Sequence, residues 1–351
     1  MKTLKLLIGI SLLLILTNLS VSAQERLEKN LNEEFSITKG ASLDVYSKFG
    51  DVEISNWESD KVEVKVEIWV ESNNKSTTEE LFNKLDVEIS QTGNIVRVKS
   101  ILPDKLNSGK NTKFKINIYI NAPKYINIDL ESKYGSVFID ENNGKVMLNI
   151  DYGNINIEKL SRGKEKPLNE IILRYSKASI EKVGWLKADL AYSKLSVEEA
   201  KAIVLVSKYS GLSIEECSSI VTDSKYDTYR FEELNNFIGN LNYSNVKIEK
   251  LNKKIESESN YSSFKIAEMD ADFELIKIDN SRGSYSINLD ESSSFSIKAD
   301  AVRGSISIPD INISTKQSDK TRKYFEGNYG NGPESVIEVI SKDGSVKFSF
   351  D

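Results

Sequence analysis

The stretch SKYSGLSIEECSSIVTDSKYDTYRFEE, from Ser207 to Glu233, contains Ser-Lys-Tyr twice, with Tyr209 and Tyr226 standing 17 residues apart. Between them lies Cys217, the only cysteine of the 351-residue chain. Such a stretch is either a reactive site, a thiol between phenols, or one period of a repeat. The flanking sequence makes it a repeat. Tyrosines recur at Tyr152, Tyr175, Tyr192, Tyr209, Tyr226, Tyr243 and Tyr261; the four steps from Tyr175 to Tyr243 are each 17 residues, and the flanking steps are 23 and 18.

Each tyrosine heads the same pattern. Three residues on stand Ile155, Ala178, Leu195, Leu212, Tyr229, Val246 and Phe264. Five on stand Ile157, Ile180, Val197, Ile214, Phe231, Ile248 and Ile266. Eight on stand Leu160, Val183, Ala200, Cys217, Leu234, Leu251 and Met269, and twelve on, in the later periods, Val204, Val221, Ile238, Ile255 and Phe273. All four columns are expected to be buried. Columns three and five alternate as a strand does. Column eight breaks that parity, so a bend lies between, and column twelve belongs to another short strand. A period of 17 is too short for a strand–helix–strand crossover, and the Ser, Asn, Tyr, Ile and Val content disfavours helix.

A two-strand antiparallel meander and a parallel β-solenoid both fit this period. In a meander, equivalent columns lie two strands apart and need not resemble each other. In a solenoid they stack directly, about 4.8 Å apart, and like residues form ladders. Six repeated tyrosines favour the solenoid, wound right-handed as parallel crossovers are. Ten anchors from Tyr134 to Arg303 would then make a rod on the order of 50 Å long.

The pattern weakens outward. SKFGDVEI (Ser47–Ile54), SKYGSVFI (Ser132–Ile139), SRGSYSINL (Ser281–Leu289), VRGSISI (Val302–Ile308) and KDGSVKFSF (Lys342–Phe350) keep a glycine and then alternation. Gly50, Gly135, Gly153, Gly283, Gly304 and Gly344 are expected at a corner that needs positive φ or a close backbone approach. The tyrosine-anchored middle has largely lost that glycine, so its corner must differ. Coils of about 17–21 residues are expected over 124–351. Residues 24–123 read as a mainly antiparallel β region that caps the first coil. KVEVKVEIWVES is its long strand, and Lys75–Leu85 its one short helix.

The segment INAPKYINIDLESKYGSVFIDENNGKVMLNIDYGNINIEKL, together with the glycine-rich loop before VIEVISKDGSVKF, resembles the exported bacterial putative-adhesin family with a β-helix domain. The resemblance runs over about 36–350 and implies a cell-envelope β-solenoid. The family brings no catalytic residues to carry over, and the tyrosine-anchored middle departs from it.

Composition narrows the function. Lys2 and Lys5, the apolar run Leu6–Leu16, and Val21-Ser22-Ala23 before Gln24 read as a signal peptide over 1–23, cleaved after Ala23. Two lysines leave with it, so 45 basic residues stand against 53 acidic ones, a net of −8. Interleaved charges of both signs argue against nucleic acid. No second apolar run approaches transmembrane length, so no membrane anchor is expected in the mature chain, and the location is periplasmic, outer-surface or secreted. With one cysteine no intrachain disulfide forms, and with no histidine neither imidazole-based nucleophile activation nor an ordinary zinc site is available.

Cys217 sits in a core column and is expected to be a buried, inert thiol. DENNGK (Asp140–Lys145) lacks the spaced acids of a calcium loop and reads as a turn. Ser218, Ser219 and Ser292–Ser294 read as solvated corners. The candidate binding residues are Tyr175, Tyr192, Tyr209, Tyr226, Tyr243 and Tyr261, flanked by Lys208 and Lys225. They form either a strip that stacks on sugar rings and other planar ligands, or a ladder whose rings pack on one another. No catalytic residue, metal or cofactor is expected. The expected function is a non-catalytic envelope or secreted protein for adhesion, protein or glycan binding, or scaffolding. The alternatives are a partner-binding protein of envelope-stress signalling and, further off, a polysaccharide lyase. The expected partner is an unidentified envelope protein or glycan.

Overall fold

The computed structural model describes residues 25–103, 111–331 and 335–350. The protein is all-β with one helix, and its strands join into a single long sheet of mostly parallel pairings. The expected signal peptide lies outside the described residues.

The 17-residue period appears directly in the register. Strands Lys177–Ala191, Lys194–Lys208, Gly211–Lys225 and Thr228–Asn242 lie parallel, pairing Lys177 with Lys194, Lys194 with Gly211, and Gly211 with Thr228. Asn245–Asn260 is one residue longer, and the register shifts between Leu234 and Asn236 to take up the extra residue as a bulge. The sequence step from Tyr243 to Tyr261, 18 instead of 17, is that bulge. The longer step from Tyr152 to Tyr175 is an excursion between Asn154–Leu160 and Asn169–Arg174, each of which pairs with its own part of Lys177–Ala191.

Columns three, five and eight are buried throughout, from Ile155, Ile157 and Leu160 to Phe264, Ile266 and Met269. Column twelve is not. Val204, Val221 and Ile238 are exposed, whereas their predecessors Ile203, Ile220 and Phe237 are buried. The bend after column eight turns the chain so that the second stretch puts its odd columns inward. Ile255 returns to the core because the extra residue of its strand shifts it by one, and Phe273 is buried in the bend before Leu275–Ser281.

In the amino-terminal part, Lys61–Ser72 pairs antiparallel with both Glu25–Ser36 and Lys113–Ala122, and Asp86–Thr92 forms a hairpin with Ile95–Ile101. The helix runs Lys75–Phe82. Its cap is Asn74, whose side chain accepts from the Thr77 N–H at 3.1 Å, two residues ahead of Ser76-Thr77-Thr78. Parallel stacking already begins here. Ser42–Lys48 pairs with Ile95–Ile101 and with Asn127–Lys133, while Val52–Asn56 pairs with Lys113–Ala122 and with Ser136–Asn142.

At the carboxyl end, spatial order departs from chain order. Ser335–Lys342 lies between Leu275–Ser281 and Phe295–Val302, parallel to both. Ser345–Phe350 likewise lies between Ser284–Leu289 and Ser305–Ser307. Phe295–Val302 then pairs antiparallel with Arg322–Tyr329, which pairs antiparallel with Asn312–Ser318. The glycine-rich stretch thus contributes to a hairpin over the end of the stack. Among the described residues, no helix is long and apolar enough to cross a membrane.

Candidate functional site

The tyrosine column is a corner where one strand ends and the next begins. Every tyrosine in it has positive φ: 61° at Tyr134, 55° at Tyr152, 53° at Tyr175 and Tyr192, 52° at Tyr209, Tyr243 and Tyr261, and 61° at Tyr226. A non-glycine residue in the left-handed region costs roughly 1–2 kcal/mol. The corner repays that cost by keeping the backbone ladder unbroken. The Tyr209 N–H donates to the Lys225 carbonyl at 3.0 Å, and the Tyr226 N–H to Asn242 at 2.9 Å.

The side chains then stack. Phe49, Tyr134, Tyr152, Tyr175, Tyr192, Tyr209, Tyr226, Tyr243 and Tyr261 form one continuous pile. Ring centroids lie 5.0 Å apart from Tyr152 to Tyr175 and 4.8 Å apart from Tyr209 to Tyr226, with interplanar angles of 1° and 4°. Phe114 tilts against Phe49 at one end. At the other, the Arg282 guanidinium sits 5.4 Å from the Tyr261 ring centre. Arg303 and Asp343 continue the column as a bidentate ion pair at 2.8 and 2.9 Å. The Lys208 and Lys225 ammonium groups lie 5.3 and 5.6 Å from the rings of Tyr209 and Tyr226. Each ring between the ends of the pile is covered on both faces by its neighbours. What reaches solvent is ring edge and phenol, with the tyrosines 41% to 53% exposed.

The residue after each tyrosine is the part the sequence reading left open. At the ends it is glycine, and the reason is close approach, not positive φ. A Cβ on Gly135 would lie 1.9 Å from the Gly50 carbonyl oxygen, and one on Gly50 would lie 1.8 Å from that of Ile116. In the middle it is Ser176, Ser193, Ser210, Asp227, Ser244 and Ser262, all buried. Their side chains form a second ladder. The Ser193 Oγ accepts from the Ser176 N–H at 3.1 Å and donates to the Ala191 carbonyl at 2.8 Å. Ser210 does the same for Ser193 and Lys208, and Ser262 for Ser244 and Asn260. Asp227 substitutes a carboxylate. It accepts from the Ser210 N–H at 2.6 Å, the Ser207 hydroxyl at 2.7 Å, the Ser224 hydroxyl at 2.8 Å and the Lys225 N–H at 3.0 Å. Burial and then the Asp227 charge push the neighbouring Tyr229 phenol up to about 12.

Beside the stack, Tyr152, Tyr175 and Tyr192 form one wall of a shallow groove of about 410 Å³, floored by Gly153, Ser176 and Ser193. Lys177 and Lys194 line its far side. Neither lysine makes an ion pair among the described residues.

The six tyrosines singled out from the sequence are thus brought into one column. Tyr152 and Tyr134, which the sequence counts among the repeat anchors but not among the candidate binding residues, belong to the same pile, and so does Phe49, the aromatic of SKFG. The sequence reading missed the serine ladder, whose signal was the Ser or Asp after every middle tyrosine. Cys217 is buried in the core, and desolvation pushes its thiol up to about 11, far from a reactive thiolate. Ser218 is exposed and Ser219 half-buried, but Ser293, expected at a solvated corner, is buried. In DENNGK, Asp140 accepts from the Asn56 N–H, and Glu141 pairs with Lys124 at 2.7 Å. Among the described residues, no cluster of three or more potential ligands could hold a metal ion.

No protein-family model matches this chain, and no curated protein matches it. Solved structures do. A "putative cell adhesion protein" from Clostridium sporogenes is 13% identical over 93% of this chain and 100% of its own, with a TM-score of 0.21. A "putative adhesin" from Bacteroides fragilis is 12% identical over 92% of this chain and 97% of its own, with a TM-score of 0.30. A "putative lipid binding protein" from Parabacteroides distasonis is 11% identical over the same shares, with a TM-score of 0.28. At these scores the likenesses carry no argument about the path or activity of this chain.

Proposed function

We propose that this chain is a non-catalytic binding or scaffolding protein of the cell envelope, exported by its amino-terminal segment and wound as a right-handed β-solenoid. The tyrosine edge and the groove beside it are its binding surface. One observation carries the reading: an unbroken column of half-exposed phenols, spaced by the strand separation and bordered by Lys177 and Lys194, which make no ion pair among the described residues. Because the ring faces cover one another, the edge offers hydroxyl groups and cations to a partner instead of a stacking platform. An extended glycan bearing hydroxyl or acidic groups, or an extended protein segment, matches that chemistry.

A glycan array and an envelope pull-down, run with the parent chain and with Lys177→Ala/Lys194→Ala, separate the options. Glycan binding lost in the double variant at unchanged stability supports the glycan reading. Capture of one specific protein and no glycan supports the signalling alternative. Loss of polysaccharide viscosity on mixing would sink the non-catalytic reading.

A further inference from the structure

We propose that the tyrosine column is a site of oxidative crosslinking, in which a one-electron oxidant couples ladder neighbours and joins one repeat covalently to the next. The proposal stands apart from any binding role. Two conditions for coupling meet in this column. Phenols must reach the oxidant, and Tyr175 and Tyr226 are 53% and 41% exposed. A second phenol must lie within reach of the radical, and every tyrosine of the column has one at about 5 Å. With a single cysteine, no disulfide can join one repeat to the next.

The chemistry balances with a peroxide and a haem peroxidase as the oxidising system. Each of two phenols gives up one electron and one proton. The two phenoxyl radicals join through the ring carbons beside the oxygens, and the hydrogens on those carbons move to the oxygens to restore two phenols. The two electrons and two protons reduce one hydrogen peroxide to two waters. Because the rings are half-exposed, neighbours can tilt outward to bring those carbons together without opening the core.

The molecule carries its own control. Tyr119 is 41% exposed, as Tyr226 is, yet no ring stacks on it among the described residues. Dilute full-length chain is treated with hydrogen peroxide and peroxidase, and the monomer is digested and mapped by mass spectrometry. The expected linkages are Tyr192–Tyr209, Tyr209–Tyr226 and Tyr226–Tyr243, each with loss of two hydrogen atoms. Ladder coupling should exceed coupling at Tyr119 on the order of tenfold, since the partner is held in place. Prior unfolding in urea should abolish the preference. Tyr209→Phe keeps the ring but removes the phenol, so both linkages at that position should vanish while Tyr226–Tyr243 persists. Coupling of Tyr119 at the ladder rate, linkages mainly between molecules, or the same pattern in urea would overturn the proposal.

Discussion

At Gly135 and at Ser193 the chain turns the same corner in two ways. At Gly135 the neighbouring repeat comes so near that a Cβ would sit 1.9 Å from a backbone oxygen. At Ser193 a full side chain fits, and its hydroxyl bridges the Ser176 N–H and the Ala191 carbonyl. The preceding residue is Tyr134 in one case and Tyr192 in the other, with φ of 61° and 53°. The left-handed residue is therefore a constant of the corner, and in these two corners so is the stacked ring. What varies is how the next residue meets its neighbour, by bare backbone contact or by a hydrogen-bonding side chain.

That contrast can be broken at its steepest point. Gly135→Ala should cost about 3 kcal/mol or more, because the clash is with backbone that cannot give way. Denaturant unfolding checks it, and a loss below about 1 kcal/mol would mean that the glycine and serine corners are interchangeable. The tyrosine of the middle corner comes next. Tyr209→Ala removes two stacked contacts, worth about 1–3 kcal/mol together. Tyr209→Gly loses the same ring but relieves the left-handed backbone, and should be more stable than the alanine variant by about 1 kcal/mol. Equal stabilities would show that the positive φ costs nothing.

Val221→Thr tests the column reassigned from core to surface. Val221 is exposed beside the buried Ile220, so the change should stay within about 0.5 kcal/mol, whereas Ile220→Thr should be strongly destabilising. A further effect, also small, is acid-dependent. Burial raises the Asp51 carboxyl, but its hydrogen bond from Lys115 and that from the Ser136 N–H outweigh burial and hold it below its ordinary 3.8. Its contribution is therefore complete above the unfolded value and disappears as pH falls through the lower folded one. Asp51→Asn should lower stability at pH 7 by less than about 1 kcal/mol, given its exposure. The two chains should draw together in melts as the pH is taken below 3.8, as the sign of the shift requires.

Much of the fold was legible because a parallel stack repeats chemistry at fixed intervals. Columns three and five followed from alternation and column eight from its recurrence as an apolar position, while the 18-residue step stood out as a break in the period that the register shows to be a bulge. The place of Val204, Val221 and Ile238 was not legible, since a bend between strands resets parity and sequence does not say by how much. Nor was the insertion of Ser335–Lys342 between two earlier strands, because glycine and alternation mark a repeat without giving its order. The tyrosine column was readable as a column. That its ring faces would be covered by one another, leaving edges and phenols to solvent, depended on a corner geometry that residue identities do not encode.

The identity of every period with the next has one direct test: removal of residues 210–226, one whole period. Tyr209 would then precede Asp227, Tyr209 would stack on Tyr243, and each strand would keep its register. The shortened chain should unfold cooperatively, with a far-ultraviolet spectrum of unchanged shape and repeat-type stability lowered only in proportion. A control lacking 210–225 shifts every later column by one and should fail to fold. If the 17-residue deletion unfolds the protein, or the 16-residue deletion is tolerated equally well, the stacked, in-register repeat is wrong.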